Sequence, residues 1–244
     1  YTRFAYDALL RFSVDGSQIT PHILESWEAS EDFHTWTLRF REGAKWSDGA
    51  PLTSEALTFY YDAVLKNADL TPSVPVWIAN SDGTLADMRA VDDYTVEVEF
   101  DFPYTLFPLE LTFRDGGDHT LAAHLPAHYL KQFHPDYGDQ AEIDRLAAEA
   151  GLTDWTQLFL QKGIITDNPD RPSTAAWAPY QSTVSDQVFT LRRNPYYIGV
   201  DEAGNQLPYI DEVQFRYFAD VQALNFAAVA GELDFQSRHI QLTN

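Results

Sequence analysis

The chain has 244 residues, 45% of them hydrophobic and 14% aromatic, which is ample material for a core and excludes disorder along its whole length. Sixteen Lys and Arg against 37 Asp and Glu leave a formal charge of −21, a surface that repels phosphate backbones and anionic lipid and argues against nucleic-acid or peripheral membrane binding. There is no Cys, so thiol catalysis, disulfides and Cys-ligated zinc are excluded, and no run of 18 apolar residues is available to span a membrane.

The first segment reads as strand and turn. Trp36, Leu38 and Phe40 alternate with Thr35, Thr37 and Arg39, the period of a half-buried strand. Asp48-Gly49 signals a turn, after which Thr53 is the expected cap of a helix with Glu55 in its positive first turn. Leu57, Tyr60, Tyr61, Val64 and Leu65 share one face, so this helix should run to about Lys66. Thr71 to Pro75 reads as a loop, and Tyr94, Val96, Val98 and Phe100 as a second alternating strand. A short helix is expected within Leu121 to Phe133, weakened by Pro126. Ile143, Leu146, Ala147 and Ala150 give another helical stripe, stopped by Gly151. Thr153 is the expected cap of a further helix carrying Trp155, Leu158 and Phe159. Asp167 to Pro179, rich in Pro, Asp and Ser, is the candidate domain crossing. Beyond it come a strand over Val184 to Arg193, a turn at Asn194-Pro195 and a strand over Val213, Phe215 and Tyr217. A helix capped by Asp220 follows and ends at Gly231. The chain starts at Tyr1 with neither Met nor a charged-then-apolar leader, as expected after removal of a leader or of an excised piece, and its stop at Asn244 soon after that helix favours the second.

Catalytic signatures are scarce. There is no Gly-x-Ser-x-Gly elbow, no phosphate-cradling Gly loop and no His-Glu-x-x-His helix. His124 and His128 are four apart, but Pro126 lies between them and no Glu follows His124, so surface or capping roles are expected rather than a metal site. Asp201 to Asn205 lacks the alternating oxygens and distal Glu of a calcium loop and reads as a solvated hairpin turn. Of the six Trp, Trp36 and Trp46 sit in patterned contexts and read as structural, as does Trp27. Trp77 and Trp177 lie in irregular Pro-rich segments, where a flat ring serves either as a ligand contact or as a loop anchor.

Several local signals recur together in one family. Pro21 to Trp27 (PHILESW), Thr35 to Arg41 (TWTLRFR), Lys45 to Leu52 (KWSDGAPL), Tyr94-Thr95-Val96, Leu191 to Tyr197 (LRRNPYY) and Gly231 to Asp234 (GELD) appear in this order. The chain resembles the extracellular solute-binding proteins of family 5, the oligopeptide-binding type of ABC importers. The resemblance implies an α/β fold: a periplasmic-binding-protein-like (type II) lobe with a mixed sheet, plus an inserted α+β domain. It implies that residues 1–12 and 168–244 form part of lobe one, that 13–167 form the insertion, and that the second lobe is absent, the whole clamp being roughly twice this length.

The same resemblance implies binding without chemistry, with no catalytic residue, metal or cofactor. The partners would be a small peptide or oligosaccharide and an ABC permease, at a periplasmic or cell-surface location. Family members often carry a Gly-Thr-Gly-Pro-Tyr-like stretch where this chain has Ala176-Trp177-Ala178-Pro179-Tyr180, so Trp177 and Tyr180 are expected at the cleft, with Trp77 as a further ligand contact. Asn205 to Asp211 (NQLPYID) resembles a subset that includes oligosaccharide binders. Two other classes remain open on the residues alone: a glycan-active hydrolase using a carboxylate pair, and a stand-alone carbohydrate-binding module.

Overall fold

A computed structural model of the chain describes residues 7–113, 121–164, 168–180 and 188–236. The elements come in the order expected of a mixed α/β protein. A two-stranded hairpin, β1 (Leu10–Phe12) with β2 (Ile19–Pro21), precedes a four-stranded antiparallel sheet of order β3-β4-β6-β5. Its strands are β3 (Leu24–Ala29), β4 (Thr35–Phe40), β5 (Asp87–Asp92) and β6 (Thr95–Glu99). The pairings Trp36↔Val98 and Leu38↔Val96 place the alternating apolar residues of the two central strands on one face. All four are buried, as their period requires.

That face is covered by α1 (Glu55–Phe59), which continues as a π-helical stretch over Tyr60–Leu65. The expected end near Lys66 is met. The expected Thr53 cap is not: no side chain caps this start, and Ser54 instead donates from Oγ to the Asp92 carbonyl at 2.7 Å. The helix also buries two faces where one was expected. Leu57, Tyr61 and Leu65 enter the core under the sheet. Phe59, Ala63 and Val64 enter a second core with α3 (Ala127–Leu130), α4 (Gln140–Glu149) and α5 (Trp155–Gly163). The π stretch advances fewer degrees per residue than an α-helix, which helps spread apolar side chains over both faces.

The helix expected between Leu121 and Phe133 starts only after Pro126, whose ring blocks an earlier turn, and passes into a 3-10 turn at Lys131–Phe133. In α5 the cap is Asp154, one residue after the expected Thr153; its carboxylate accepts from the Thr156 and Gln157 amides at 2.9 and 3.1 Å, and Thr153 donates to that carboxylate. A single 3-10 turn, Val76–Ile78, holds Trp77, and α2 (Phe107–Leu111) supplies the ring it packs on.

The C-terminal part forms a separate three-stranded antiparallel sheet of order β7-β8-β9: β7 (Trp177–Pro179), β8 (Val188–Arg193) and β9 (Glu212–Arg216). Residues 184–187 of the expected strand and the terminal Arg238 to Asn244 lie outside the described residues, as does Asp167. The last helix, α6 (Val221–Val229), is capped by Asp220 accepting from the Ala223 amide at 2.7 Å, and Gly231 takes the left-handed conformation that ends it. Among the described residues no helix is long and apolar enough to cross a membrane.

Candidate functional site

The route to Trp177 is fixed by hydrogen bonds. Residues 171–175 are buried. Ser47 and Ser173 bond reciprocally, the Ser47 amide to the Ser173 carbonyl and the Ser173 amide to the Ser47 hydroxyl, both at 2.9 Å. Asn194 donates from its amide to the Ala176 carbonyl at 2.9 Å and from Nδ2 to the Ala175 carbonyl at 3.0 Å. Trp177 therefore leaves a locked segment and enters β7 opposite Arg193.

The register then sorts the side chains. Trp177, Pro179, Phe189, Leu191, Val213 and Phe215 occupy one face of the sheet, where Phe189 and Leu191 are buried and Trp177, Val213 and Phe215 pack on them. The indole Nε1 of Trp177 donates to the Ile210 carbonyl at 2.9 Å, which fixes the ring plane. Beside it opens a cleft of about 590 Å³ lined by Trp177, Ile210, Phe215, Leu233 and Phe235, with Arg216, Glu232 and Asp234 at its polar side. Phe235 is 73% exposed there. The Arg216 guanidinium pairs with Glu232 at 3.1 Å across the cleft wall.

Tyr180 faces the other way. Its amide donates to the Thr190 carbonyl, and it shares the opposite face with Arg192, whose guanidinium lies 3.1 Å from the Tyr180 ring centroid and pairs with Glu212 at 2.8 Å. The ring is 46% exposed. Trp77 is elsewhere: 4% exposed in the first core and stacked on Phe107 at 6.4 Å with an 11° interplanar angle. The three residues singled out in the sequence are thus not brought together. Leu233, Phe235 and the Arg216–Glu232 pair were not anticipated, although GELD placed next to the alternating Val213 and Phe215 was the available signal.

Of the two histidines four apart, His128 is exposed as expected and His124 is not. His124 is 3% exposed, stacks on Trp46 at 5.9 Å and meets the Thr174 hydroxyl through Nε2 at 2.9 Å, so it is a core residue and not a surface or capping one. Burial, assisted by the nearby Arg171 charge, pushes its pKa down to about 3. His128 bonds Asp48 at 2.8 Å. Among the described residues no group of three or more His, Asp or Glu is arranged to hold a metal. Asp201 closes its hairpin: the carboxylate accepts from the Tyr209 hydroxyl, the Asn205 side chain and the Ala203 and Asn205 amides, which together hold its pKa down at about 2.

A family model for bacterial extracellular solute-binding proteins, family 5 Middle, matches residues 18–242. The chain is 33% identical over 227 residues to the periplasmic alpha-galactoside-binding protein of Rhizobium meliloti, covering 88% of this chain and 29% of that protein. Among solved structures, an oligopeptide-binding protein OppA aligns at a TM-score of 0.84 and 37% identity, over 96% of this chain and 35% of that one. The periplasmic binding protein MelB of Agrobacterium fabrum C58, solved in complex with stachyose, aligns at 0.70 and 28% identity, over 94% and 32%. The chain spans about a third of the length of these relatives, a smaller share than the half expected from the sequence. All three are named as binding proteins.

Proposed function

Since this chain belongs to the bacterial extracellular solute-binding proteins of family 5, we propose that it forms part of one lobe of the substrate-binding component of an ABC importer, capturing peptides or oligosaccharides outside the cytoplasmic membrane. The observation that carries this reading is the family match, continuous over residues 18–242 and so across both the four-stranded sheet and the Trp177 cleft. In a clamp of this kind the ligand is enclosed between lobes, where excluded water strengthens each polar contact. Closure shifts an open–closed equilibrium by the ligand's differential affinity for the two forms, and the closed form is the one offered to a membrane permease.

The same reading divides the chain into 1–12 with 168–244, and 13–167. Two features support it. Among the described residues, the core under the β7-β8-β9 sheet draws on residues 177–215 alone. Bonds across the boundary are polar: Asp7 with His22 at 2.5 Å, Ser173 with Ser47, and Thr174 with His124. Leu9 and Leu10 cross that division and enter the first core. Trp177 is the ligand contact in this scheme. Tyr180, at the end of the edge strand β7, meets a ligand that extends past that edge, whereas Trp77, buried on Phe107, anchors its loop without meeting the ligand.

The protein acts by binding and not by hydrolysis. A glycosidic acid must be a carboxyl group whose pKa is raised so that it keeps its proton. Every carboxyl group with a shifted pKa among the described residues, Asp201 and Asp92 included, is shifted down by hydrogen bonds it accepts. The test is to incubate the complete protein with mixed peptides and oligosaccharides and assay both retention and turnover. Retention of an intact solute is expected; release of hydrolysis products would overturn the reading.

A further inference from the structure

We infer that the Trp177 cleft takes a neutral oligosaccharide, a pyranose ring stacking on Trp177 and Phe235 while the Arg216–Glu232 pair and Asp234 read its hydroxyls. This rests on the reading above and goes further by choosing between its two ligand classes.

Two properties of the cleft bear on the choice. The first is its shape and lining. About 590 Å³ lies within the range of small-molecule sites, roughly 300–1,000 Å³. Beside aliphatic Ile210, Val213 and Leu233, its apolar side carries flat rings, one held in plane by the Nε1–Ile210 bond and one, Phe235, largely open to solvent. A pyranose has an apolar C–H face that covers a ring and an equatorial rim of hydroxyls that need both donors and acceptors. The Arg216–Glu232 pair supplies both at one place, because each partner retains hydrogen-bonding capacity beyond the bond it makes to the other.

The second property is charge. Glu232 and Asp234 line the cleft, and Arg216 is the one cation of its described lining. Glu232 offsets the charge of Arg216, and the Glu212 carboxylate turns to Arg192 on the opposite face of the sheet. Among the described residues the lining carries no cation whose charge is not already offset by a carboxylate, and Asp234 would repel a ligand carboxylate. A peptide's C-terminal carboxylate meets this wall unfavourably while its N-terminal ammonium does not, so charge weighs against anionic ligands and the ring faces carry the choice of a sugar over a peptide. An uncharged sugar loses nothing to it, and its hydroxyls can donate to the carboxylates. The net charge of −21 adds a long-range bias of the same sign against anionic ligands.

The experiment is calorimetric titration of the complete protein with stachyose, maltotetraose, cellotetraose and xylotetraose, in parallel with tetra-alanine and its C-terminal amide. At least one sugar should bind, and neither peptide should compete with it. Phe235→Ala, at an exposed position where folding is not at stake, and Trp177→Ala should each weaken sugar binding at least tenfold. Trp177→Phe should recover part of the loss, and Glu232→Gln should weaken binding several-fold. If tetra-alanine or its amide binds in a Trp177-dependent manner and no sugar does, the inference falls and the family reading stands. Failure of the whole sugar panel in a protein that retains some other intact solute has the same meaning. Sugar binding that Phe235→Ala and Glu232→Gln both leave unchanged would remove the cleft from the account. Hydrolysis of a sugar would remove the inference and the binding-protein reading together.

Discussion

Lowering the pH from 7 to 5 protonates ordinary histidines while ordinary carboxylates stay charged, and His124 makes the folded state sensitive to that change. Its imidazole is buried against Trp46, and burial, with Arg171 adding to it, holds its pKa at about 3 against an ordinary value of 6.5. In the fold the ring is neutral throughout this window, whereas in the unfolded chain it takes a proton below pH 6.5. A lowered folded-state pKa contributes stability that is present above 6.5 and lost as pH falls toward 3. At about 1.4 kcal/mol per pKa unit, the loss between pH 7 and pH 5 from this one group is about 2 kcal/mol. His134, shifted down mainly by burial beside Trp155 and Phe159, acts in the same direction. The assay is urea unfolding at both pH values, followed by tryptophan fluorescence, for the native protein and His124→Phe. The variant keeps a flat ring on Trp46 but cannot take a proton. It also leaves the Thr174 hydroxyl without its His124 partner, a cost present at both pH values, so the quantity compared is each protein's own change between pH 7 and pH 5. The native protein should lose about 2 kcal/mol more than the variant. Equal losses would refute the assignment of a neutral buried His124.

Asp154→Ala removes the acceptor of two amides at the start of α5 and should cost about 1 kcal/mol by chemical denaturation, whereas Thr153→Ala, one residue earlier, should cost less. Trp77→Ala empties a fully packed site beside Phe107 and should cost about 3–5 kcal/mol in stability. In the complete protein at a temperature where that variant stays folded, ligand affinity should be unchanged, and a weakened affinity there would return Trp77 to the binding site. On the clamp reading, residues 1–244 expressed alone supply one wall of the cleft and should bind peptides or sugars far more weakly than the complete protein; a submicromolar dissociation constant by calorimetry would contradict the clamp mechanism.

The parts of the fold that followed from the sequence are those where one physical rule dominates locally. Trp36-Leu38-Phe40 and Val96-Val98 could hardly form anything but strands with one buried face, and Asp220 with Gly231 bracketed α6 at both ends. What was hidden depended on partners distant in the chain. The helix from Glu55 to Leu65 buries a second face because α3, α4 and α5 come back to cover it, which no window around residue 60 reveals. His124 looked like a surface residue because its burial is created by Trp46 and Thr174, 78 residues before and 50 residues after it in the chain. The β5 strand carries mostly exposed residues and lacks a clear alternation, so its pairing with β6 left little local signal. At the candidate site, the sequence pattern singled out Trp177 and Tyr180 together but not the directions in which they point. Those directions follow from the register of β7 on β8, which separates two residues only three apart onto opposite faces.

The central claim is that the protein captures a solute and leaves it chemically unchanged. Native mass spectrometry of the complete protein, purified without denaturation from cells grown on a mixed carbon source, tests this most directly. The account predicts a population heavier than the polypeptide by the mass of one intact peptide or oligosaccharide, released unaltered on unfolding. A spectrum showing only bare polypeptide after exposure to both solute classes, or a covalent glycosyl adduct in place of a dissociable ligand, would contradict it.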